Sequence, residues 1–583
     1  MTSKISSKYI PLIAYGLLSL LFCFTHYKEG FLILRGDTGY PLAPIIYLNN
    51  HMSSWFNTYW TGIPAGHALS FGFPLLLVIY LLNLVLDPSQ SQMLLLTGLF
   101  FASGYMAYVF FSLTTPENRK SNLLGGLFYM LNIVIITEWY VPNPFFFLAY
   151  VGLPITAIGC YFLAKCYWRG VFWLVLGYLS IGSGFVNTPF ILITMLSNIL
   201  IVFYFGIVSN LNFGKQLFLV FSVVIIFVLT NLWWLSLLLD FRQEGEAILK
   251  TIPLSNWAVD SSRNANILNL LANSFTPSLA GDMMPYTKII KESLVFLLYL
   301  FFPIIFLSHL IKKIRIPHIA YLLIVYFIIM FLVKGTQAPF GAIYSLMVEY
   351  IPYFGIFKTP AEKFGVLFLF WQAFIISLTF KKNSHLIVGA LIILVLAYPV
   401  YTGNLFSEIS IAGKSFKAYQ KIPQSYKEVA ALINKDELNG RVLVLPLVDN
   451  YQVSYSSSNY RGLPFFKSMI KKPLIGNSGI ERDNVFLFLS NLQDETVFTS
   501  WAKRFNVNWI ILNKDIGVKG SRNSYREIID IESMLSSGNG YKRIGTFKNL
   551  ILYQGNAMEN SKGVSSEGII PHIYAPSKIN IIK

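Results

Sequence analysis

Twelve apolar runs, each of roughly 16–24 residues, set the first constraint on this chain, because that length spans the hydrocarbon core of a bilayer as a helix. They lie near 9–25, 72–86, 91–113, 121–137, 143–165, 170–186, 189–208, 216–239, 291–311, 317–333, 363–380 and 384–401. In lipid every backbone N–H and C=O must be satisfied within the segment, which leaves helices as the spanning form. Composition agrees: 55% of the residues are hydrophobic and 13% charged, with a mean hydropathy of +0.56. A soluble domain carries roughly 25% charged residues. A soluble enzyme, a disordered chain and a nucleic-acid-binding domain are thereby excluded. The expected fold is a polytopic α-helical membrane protein of about 11–13 spans.

The pattern changes after residue 402. Charge density rises, Gly, Ser and Asn turns appear, and strand-like runs replace the spans: Arg441–Pro446, Val507–Asn513 and Leu550–Tyr553. Residues 1–402 therefore read as a transmembrane domain with long connections at 26–71, 240–290 and 334–362, and 403–583 as a soluble α/β or α+β domain. Lys312, Lys313 and Arg315, with Lys381 and Lys382, are the clearest basic clusters between spans. Basic residues next to spans stay in the cytoplasm. That puts the long connections 240–290 and 334–362, and the C-terminal domain, outside a plasma membrane. A cytoplasmic N-terminus then needs an odd number of crossings, and 121–137, which ends in Thr137-Glu138, is the segment expected not to cross.

The net charge of +17 carries no nucleic-acid reading, since no basic stripe interleaved with aromatics is present. The three cysteines, Cys23, Cys160 and Cys166, lie in or beside apolar segments, so the exposed regions have no disulfide framework.

The first long connection is the most informative for chemistry. Between residues 26 and 86 the acids are Glu29 and Asp37, and Asp37 stands in Arg35-Gly36-Asp37-Thr38-Gly39-Tyr40-Pro41. A carboxylate at the membrane surface can deprotonate an incoming hydroxyl or hold a divalent cation. The alternative is a Gly-Asp turn in which Asp bonds its own backbone. Trp55 and Trp60 follow in the same loop, where they suit either a sugar ring or an interfacial belt. Glu138, before Trp139-Tyr140, is a second candidate acid or a capping residue. Arg242, Arg263, Lys358 and Lys363 all lie in or beside the external connections. Arg offers a fork for phosphate oxygens and Lys a point charge, while solvated or snorkelling roles are the alternative. Asp87-Pro88 reads as a turn.

A long first external loop with an early Asp, Trp and Gly positions and a Pro entering span 2 resembles the GT-C superfamily of polyprenyl-phosphate-sugar-dependent glycosyltransferases. Asn231-Leu232-Trp233-Trp234, followed by a loop with Arg242, Trp257 and Arg263-Asn264, resembles the α-(1→3)-arabinofuranosyltransferase family. Phe357-Lys358-Thr359-Pro360-Ala361-Glu362-Lys363-Phe364 is similar to that family's Phe-Arg-Glu-Pro-x-Lys-Phe element and to the Phe-Arg-x-Pro-x-Arg-Phe element of YfhO-like membrane proteins. Here Lys stands at 358, Thr at 359, and one extra residue separates Pro360 from Lys363. Tyr460-Arg461-Gly462-Leu463-Pro464-Phe465 resembles the accessory domain of YfhO-like proteins.

The resemblance implies a sugar transfer from a polyprenyl-phosphate-linked donor to a cell-envelope glycan, glycolipid or glycoprotein acceptor on the external face. It implies catalytic roles for Asp37 and Glu138, donor-phosphate contacts from Arg242, Arg263, Lys358 and Lys363, and sugar stacking or acceptor contacts from Trp55 and Trp60. Mg²⁺ or Mn²⁺ at Asp37 is compatible with it, as is a metal-free mechanism. A non-catalytic lipid-linked glycan transporter or envelope-assembly scaffold is the second reading. It predicts ionisable residues lining a path through the spans, whereas Lys165 and Asp240 sit at span edges.

Overall fold

The computed structural model describes residues 2–35, 39–51, 55–56, 63–64, 72–238, 254–276, 285–411, 414–437, 440–446, 453–475, 498–499, 502–503, 505–516, 528–537 and 540–555. Among these, nine helices are long and apolar enough to cross a membrane: Tyr9–His26, Pro88–Thr114, Arg119–Trp139, Pro144–Lys165, Pro189–Val208, Phe213–Ser236, Val295–Lys312, Pro317–Lys334 and Pro360–Thr379. Several begin with Pro at the first helical position, where its fixed φ fits and its missing N–H costs nothing.

The twelve apolar runs are thus realised unequally. Three form shorter helices: Phe73–Asn83, Tyr167–Ile181 and Asn383–Leu396. Phe73 has an extended backbone beside Pro74, and the helix Tyr167–Ile181 gives way at Gly182 to a 3₁₀ turn. Conversely, the segment expected to stop short, 121–137, lies inside one of the nine.

That segment is bent, not straight. Asn132 has φ −71° and ψ 160°, which separates Arg119–Leu131 from the short helix Ile133–Trp139. Its side-chain oxygen accepts from the Ile135 N–H at 3.0 Å, and its amide donates to the carbonyls of Phe128 and Tyr129 at 3.0 and 3.2 Å. One buried side chain caps both halves, so the break leaves fewer backbone groups unsatisfied in an apolar interior. Asp87, similarly, is more than a turn residue. It caps the helix Pro88–Thr114, accepting from the Ser89 and Gln90 N–H groups at 2.8 and 3.1 Å.

Close helix contacts form where small residues allow them. A Cβ on Gly126 would come within 2.8 Å of the Gly104 carbonyl oxygen, and one on Gly104 within 2.8 Å of the Tyr15 ring. Tyr15, from the first span, donates to the Leu123 carbonyl at 3.0 Å. The helix Pro360–Thr379 is buried along nearly all its length among these helices.

Beyond the last span lies a five-stranded mixed sheet. Its order is Leu474–Ile475, Arg441–Leu445, Val507–Asn513, Leu550–Gly555, Tyr541–Phe547, with the first three strands parallel and the last two antiparallel. All three strand-like runs of the sequence are in it. Alternation sends Val442, Val444, Trp509 and Ile511 to one face, against Val429 and Ile433 of the helix Gln424–Lys435. Leu443, Leu445, Ile510 and Leu512 go to the other face.

The first long connection is stitched to this C-terminal region. Leu32–Ile33 pairs antiparallel with Tyr419–Gln420. On the opposite side, buried Gln92 accepts from the Ile33 N–H at 2.7 Å and donates to its carbonyl at 2.8 Å. Further along, Ala43 donates its N–H to the Ser468 carbonyl at 3.0 Å. A Cβ on Gly39 would meet Leu463 at 2.7 Å, so the glycine admits the Tyr460–Phe465 motif against the loop.

Candidate functional site

The element 357–364 folds as a tight turn into the buried helix. Phe357 and Phe364 stack with ring centroids 4.7 Å apart, closing the turn in the manner of a hydrophobic staple. Pro360 opens the helix, and Glu362 and Lys363 fall in its first two turns. A cation is disfavoured there by the helix macrodipole. Lys363 is nevertheless held there with its side chain only 13% exposed, its Nζ 3.8 Å from Glu362 Oε2 and 5.1 Å above the Phe190 ring. Glu138, partly exposed at the end of Ile133–Trp139, lies within electrostatic reach of both Glu362 and Lys363. Two acidic side chains thus act on one ammonium, the adjacent Glu362 more strongly than Glu138, which offsets its unfavourable position.

Neighbouring segments close around this cluster. Thr137 Oγ1 lies 3.4 Å from Thr276 Oγ1, joining the Glu138 helix to the connection 264–276. Asn264 in turn donates to the carbonyls of Ser274 and Thr276 at 2.6 and 3.2 Å. Ser261 donates to the Lys358 carbonyl at 2.8 Å, and Tyr344 to the Phe357 carbonyl at 2.8 Å. Gly335, at φ +59°, leaves room for Pro360, whose side chain a Cβ would meet at 2.5 Å. Lys358 Nζ stands 3.9 Å from the centroid of the Trp257 ring, a cation–π geometry. Partial burial and the nearby Lys363 charge together hold the Lys358 ammonium below the usual lysine pKa.

The structure therefore brings together Glu138, Lys363 and Lys358 from among the residues singled out in the sequence. Arg263 has a different partner: it is 76% exposed and forms an ion pair with Asp260 at 2.9 Å. Asp37, Trp60 and Arg242 lie outside the described residues. Trp55 has its backbone in a two-residue strand paired with Ile63–Pro64, and its side chain lies outside the described parts. Glu362 is the site residue that sequence reasoning passed over. Its signal was its position next to Lys363 just inside a Pro-initiated helix, where an acid is favoured.

Among the described residues no three His, Cys, Asp or Glu side chains come together as a metal site. A cleft of about 860 Å³, counted to its open mouth, runs between the first connection at Tyr40, the helices at Ile79 and Leu96, Phe145, and the C-terminal domain at Leu463 and Phe465. Its lining is largely apolar.

No family model matches the chain, and no curated protein does. The solved structures do give a likeness. Over 94% of its length the chain resembles the cryo-EM structure of arabinofuranosyltransferase AftD from Mycobacteria, with a TM-score of 0.61 at 12% identity, covering 40% of that chain. Two further classes of AftD, from a single-substitution mutant, match with TM-scores of 0.58 and 0.55 at 14% and 13% identity, covering 42% and 41% of their chains. The chain thus spans about two-fifths of the length of these structures. It is a multi-pass membrane protein with a GT-C-like fold.

Proposed function

We propose that this protein is a membrane glycosyltransferase. It moves a sugar from a polyprenyl-phosphate-linked donor to a cell-envelope glycan, glycolipid or glycoprotein acceptor at the external face of the plasma membrane. The observation that carries this reading is the meeting of Glu138 with Glu362 and Lys363 at one end of the bundle, in a chain with the AftD-like fold. At the other end of the same helices, Lys120 Nζ donates to Asn383 Oδ1 at 3.2 Å, beside Lys381 and Lys382. Basic residues between spans mark the cytoplasmic side, which supports an external site and an extracytoplasmic C-terminal domain.

In the proposed reaction an acceptor hydroxyl attacks the anomeric carbon, and its proton passes to Asp37 as general base. The bond from the anomeric carbon to the phosphate oxygen breaks, and its electron pair leaves with the polyprenyl phosphate. A single displacement inverts the anomeric configuration. Lys358 and Lys363 face the departing phosphate charge, which Glu138 and Glu362 keep from binding too tightly by partly neutralising Lys363. Arg242 and Arg263 serve as further phosphate contacts, Arg263 by exchanging Asp260 for the donor. Trp55 and Trp60 stack on sugar or acceptor, and Mg²⁺ or Mn²⁺ at Asp37 is tested alongside.

The test is transfer by the full chain in lipid nanodiscs, with undecaprenyl-phosphate-linked pentoses and hexoses as donors and short envelope oligosaccharides as acceptors, with EDTA, Mg²⁺ or Mn²⁺. Transfer that falls roughly 10²-fold or more in Asp37→Asn supports the reading. Undiminished transfer by that variant removes Asp37 as the base, and no transfer from any such donor overturns the function.

A further inference from the structure

Arg35 is a guanidinium buried to 2% exposure on the loop side of the first span, and among the described residues no carboxylate forms an ion pair with it. It donates to three backbone carbonyls, one beside the Glu138 helix and two in the segment that opens the C-terminal domain. Nη1 donates to Tyr140 at 3.0 Å. Nη2 donates to Phe416 at 3.4 Å and, more closely, to Ser407. Burial lowers its pKa to about 10, a shift that the fields of Tyr140 and Glu408 oppose, so it is still charged at neutral pH. A buried charge of this kind is costly to desolvate, and truncating it leaves its acceptors unpaired.

The placement of those carbonyls gives the arginine a role. Arg35 stands two residues before Asp37 in the sequence, and Tyr140 two residues after Glu138. Tyr140 is also the residue that ends the short helix Ile133–Trp139. Ser407 lies just before the hairpin formed by Ile409–Ile411 and Lys414–Phe416 at the entrance to the C-terminal domain, and Phe416 ends its second strand, paired with Ile409. Immediately before Arg35, Leu34 donates to the Ala418 carbonyl at 2.9 Å, continuing the pairing of Leu32–Ile33 with Tyr419–Gln420.

We infer that Arg35 is a positioning residue that fixes the first loop, the Glu138 helix and the C-terminal domain in one mutual arrangement. Through it the C-terminal domain sets the geometry of the first loop and of the helix that carries Glu138. A guanidinium suits this task because its planar fork reaches divergent acceptors, whereas a lysine ammonium concentrates its donors at one point. The catalytic consequence rests on the proposed transferase reading; the mechanical coupling does not.

The test compares the full chain with Arg35→Gln, Arg35→Lys and Leu512→Ala, the last a control in the C-terminal sheet, Leu512 being fully buried there and far in sequence from these contacts. Hydrogen exchange of the purified proteins reads the coupling. In Arg35→Gln, amides in 133–143 and in 404–420 should exchange at least roughly tenfold faster, in step with each other, with 150–160 unchanged. Arg35→Lys should fall between this variant and the parent. Unchanged exchange in 133–143, or the same pattern from Leu512→Ala, overturns the inference. In the transfer assay, Arg35→Gln should lower kcat roughly 10²-fold with the donor KM nearly constant. If the parent transfers no sugar, the transferase reading fails while the exchange result still decides the coupling. A rise in KM alone would overturn the catalytic part.

Discussion

The ammonium of Lys363 lies 3.8 Å from the carboxylate of Glu362, on the first turns of a buried helix and within electrostatic reach of Glu138. The pair is adjacent in sequence, yet its third member arrives from a distant helix. Removing the ammonium leaves both acids without their cation, whereas removing either acid still leaves Lys363 with one acid beside it.

Lys363→Met should therefore destabilise the protein, by about 2 kcal/mol, less than a fully buried pair because Glu362 keeps contact with solvent. Glu362→Gln alone should cost less, and the double variant should cost less than the sum of the two. Thermal unfolding in detergent across this double-mutant cycle measures the coupling. Strict additivity would show that the pair does not interact.

Glu138→Gln should leave the fold intact and lower kcat several-fold, because the departing polyprenyl phosphate then leaves Lys363 more slowly. Because the same change relieves one of two acids beside Lys363, donor binding should tighten or stay constant. Binding of the polyprenyl-phosphate donor, measured apart from turnover, separates these effects. Loss of donor binding in step with turnover would contradict the assignment.

Asn132→Ala should cost about 1–2 kcal/mol through the lost cap and the carbonyls it leaves unpaired. Because Asn132 sets the direction of the helix that ends in Glu138, transfer should fall by more than the loss of folded protein explains. Specific activity per folded molecule, with folding followed by tryptophan fluorescence, checks this.

Asp87→Ala should cost about 1 kcal/mol and leave transfer unchanged, because the residue caps Pro88–Thr114. Slight burial raises its pKa, but hydrogen bonds from Ser89 and Gln90 outweigh this and hold it below the ordinary 3.8. A depressed carboxyl pKa adds stability that is present above pH 3.8 and is lost as the pH falls through the folded-state value. The gap between parent and variant should close below that pH. A gap that persists in stronger acid would mean that the carboxylate charge is not what caps the helix.

Lys358 should bind phosphate only as the ammonium. Its lowered pKa means that affinity declines with rising pH, earlier than an ordinary lysine would. Replacing it with Arg should extend binding to higher pH. Donor affinity measured from pH 7 to 10 tests this, and a flat profile in the parent would remove Lys358 from the phosphate contacts.

Much of this protein was legible in one dimension. Apolar runs declare the bilayer because hydropathy is a local property, and RVLVLP, VNWIILN and LILY declare strands because a short apolar run in a charged, turn-rich region is a local signal too. Lys358, Lys363 and Glu138 could be named from residue type and position. Their meeting could not, since it depends on how the break at Asn132 aims one helix at the start of another. For the same reason the apolar runs at 72–86 and 384–401 did not reveal that they form short helices.

By itself, then, the sequence determined the membrane-spanning class, the switch to a sheet-containing C-terminal region and the types of charge available outside the spans. Tertiary structure alone decided that Glu362 joins Glu138 and Lys363, that Leu32–Ile33 adds to a strand beyond the last span, and that Arg35 faces three carbonyls. The physical reason is range. Burial and backbone satisfaction are imposed on each segment by its own residues, whereas charge pairing and hydrogen bonds between distant segments exist only once packing has chosen their neighbours.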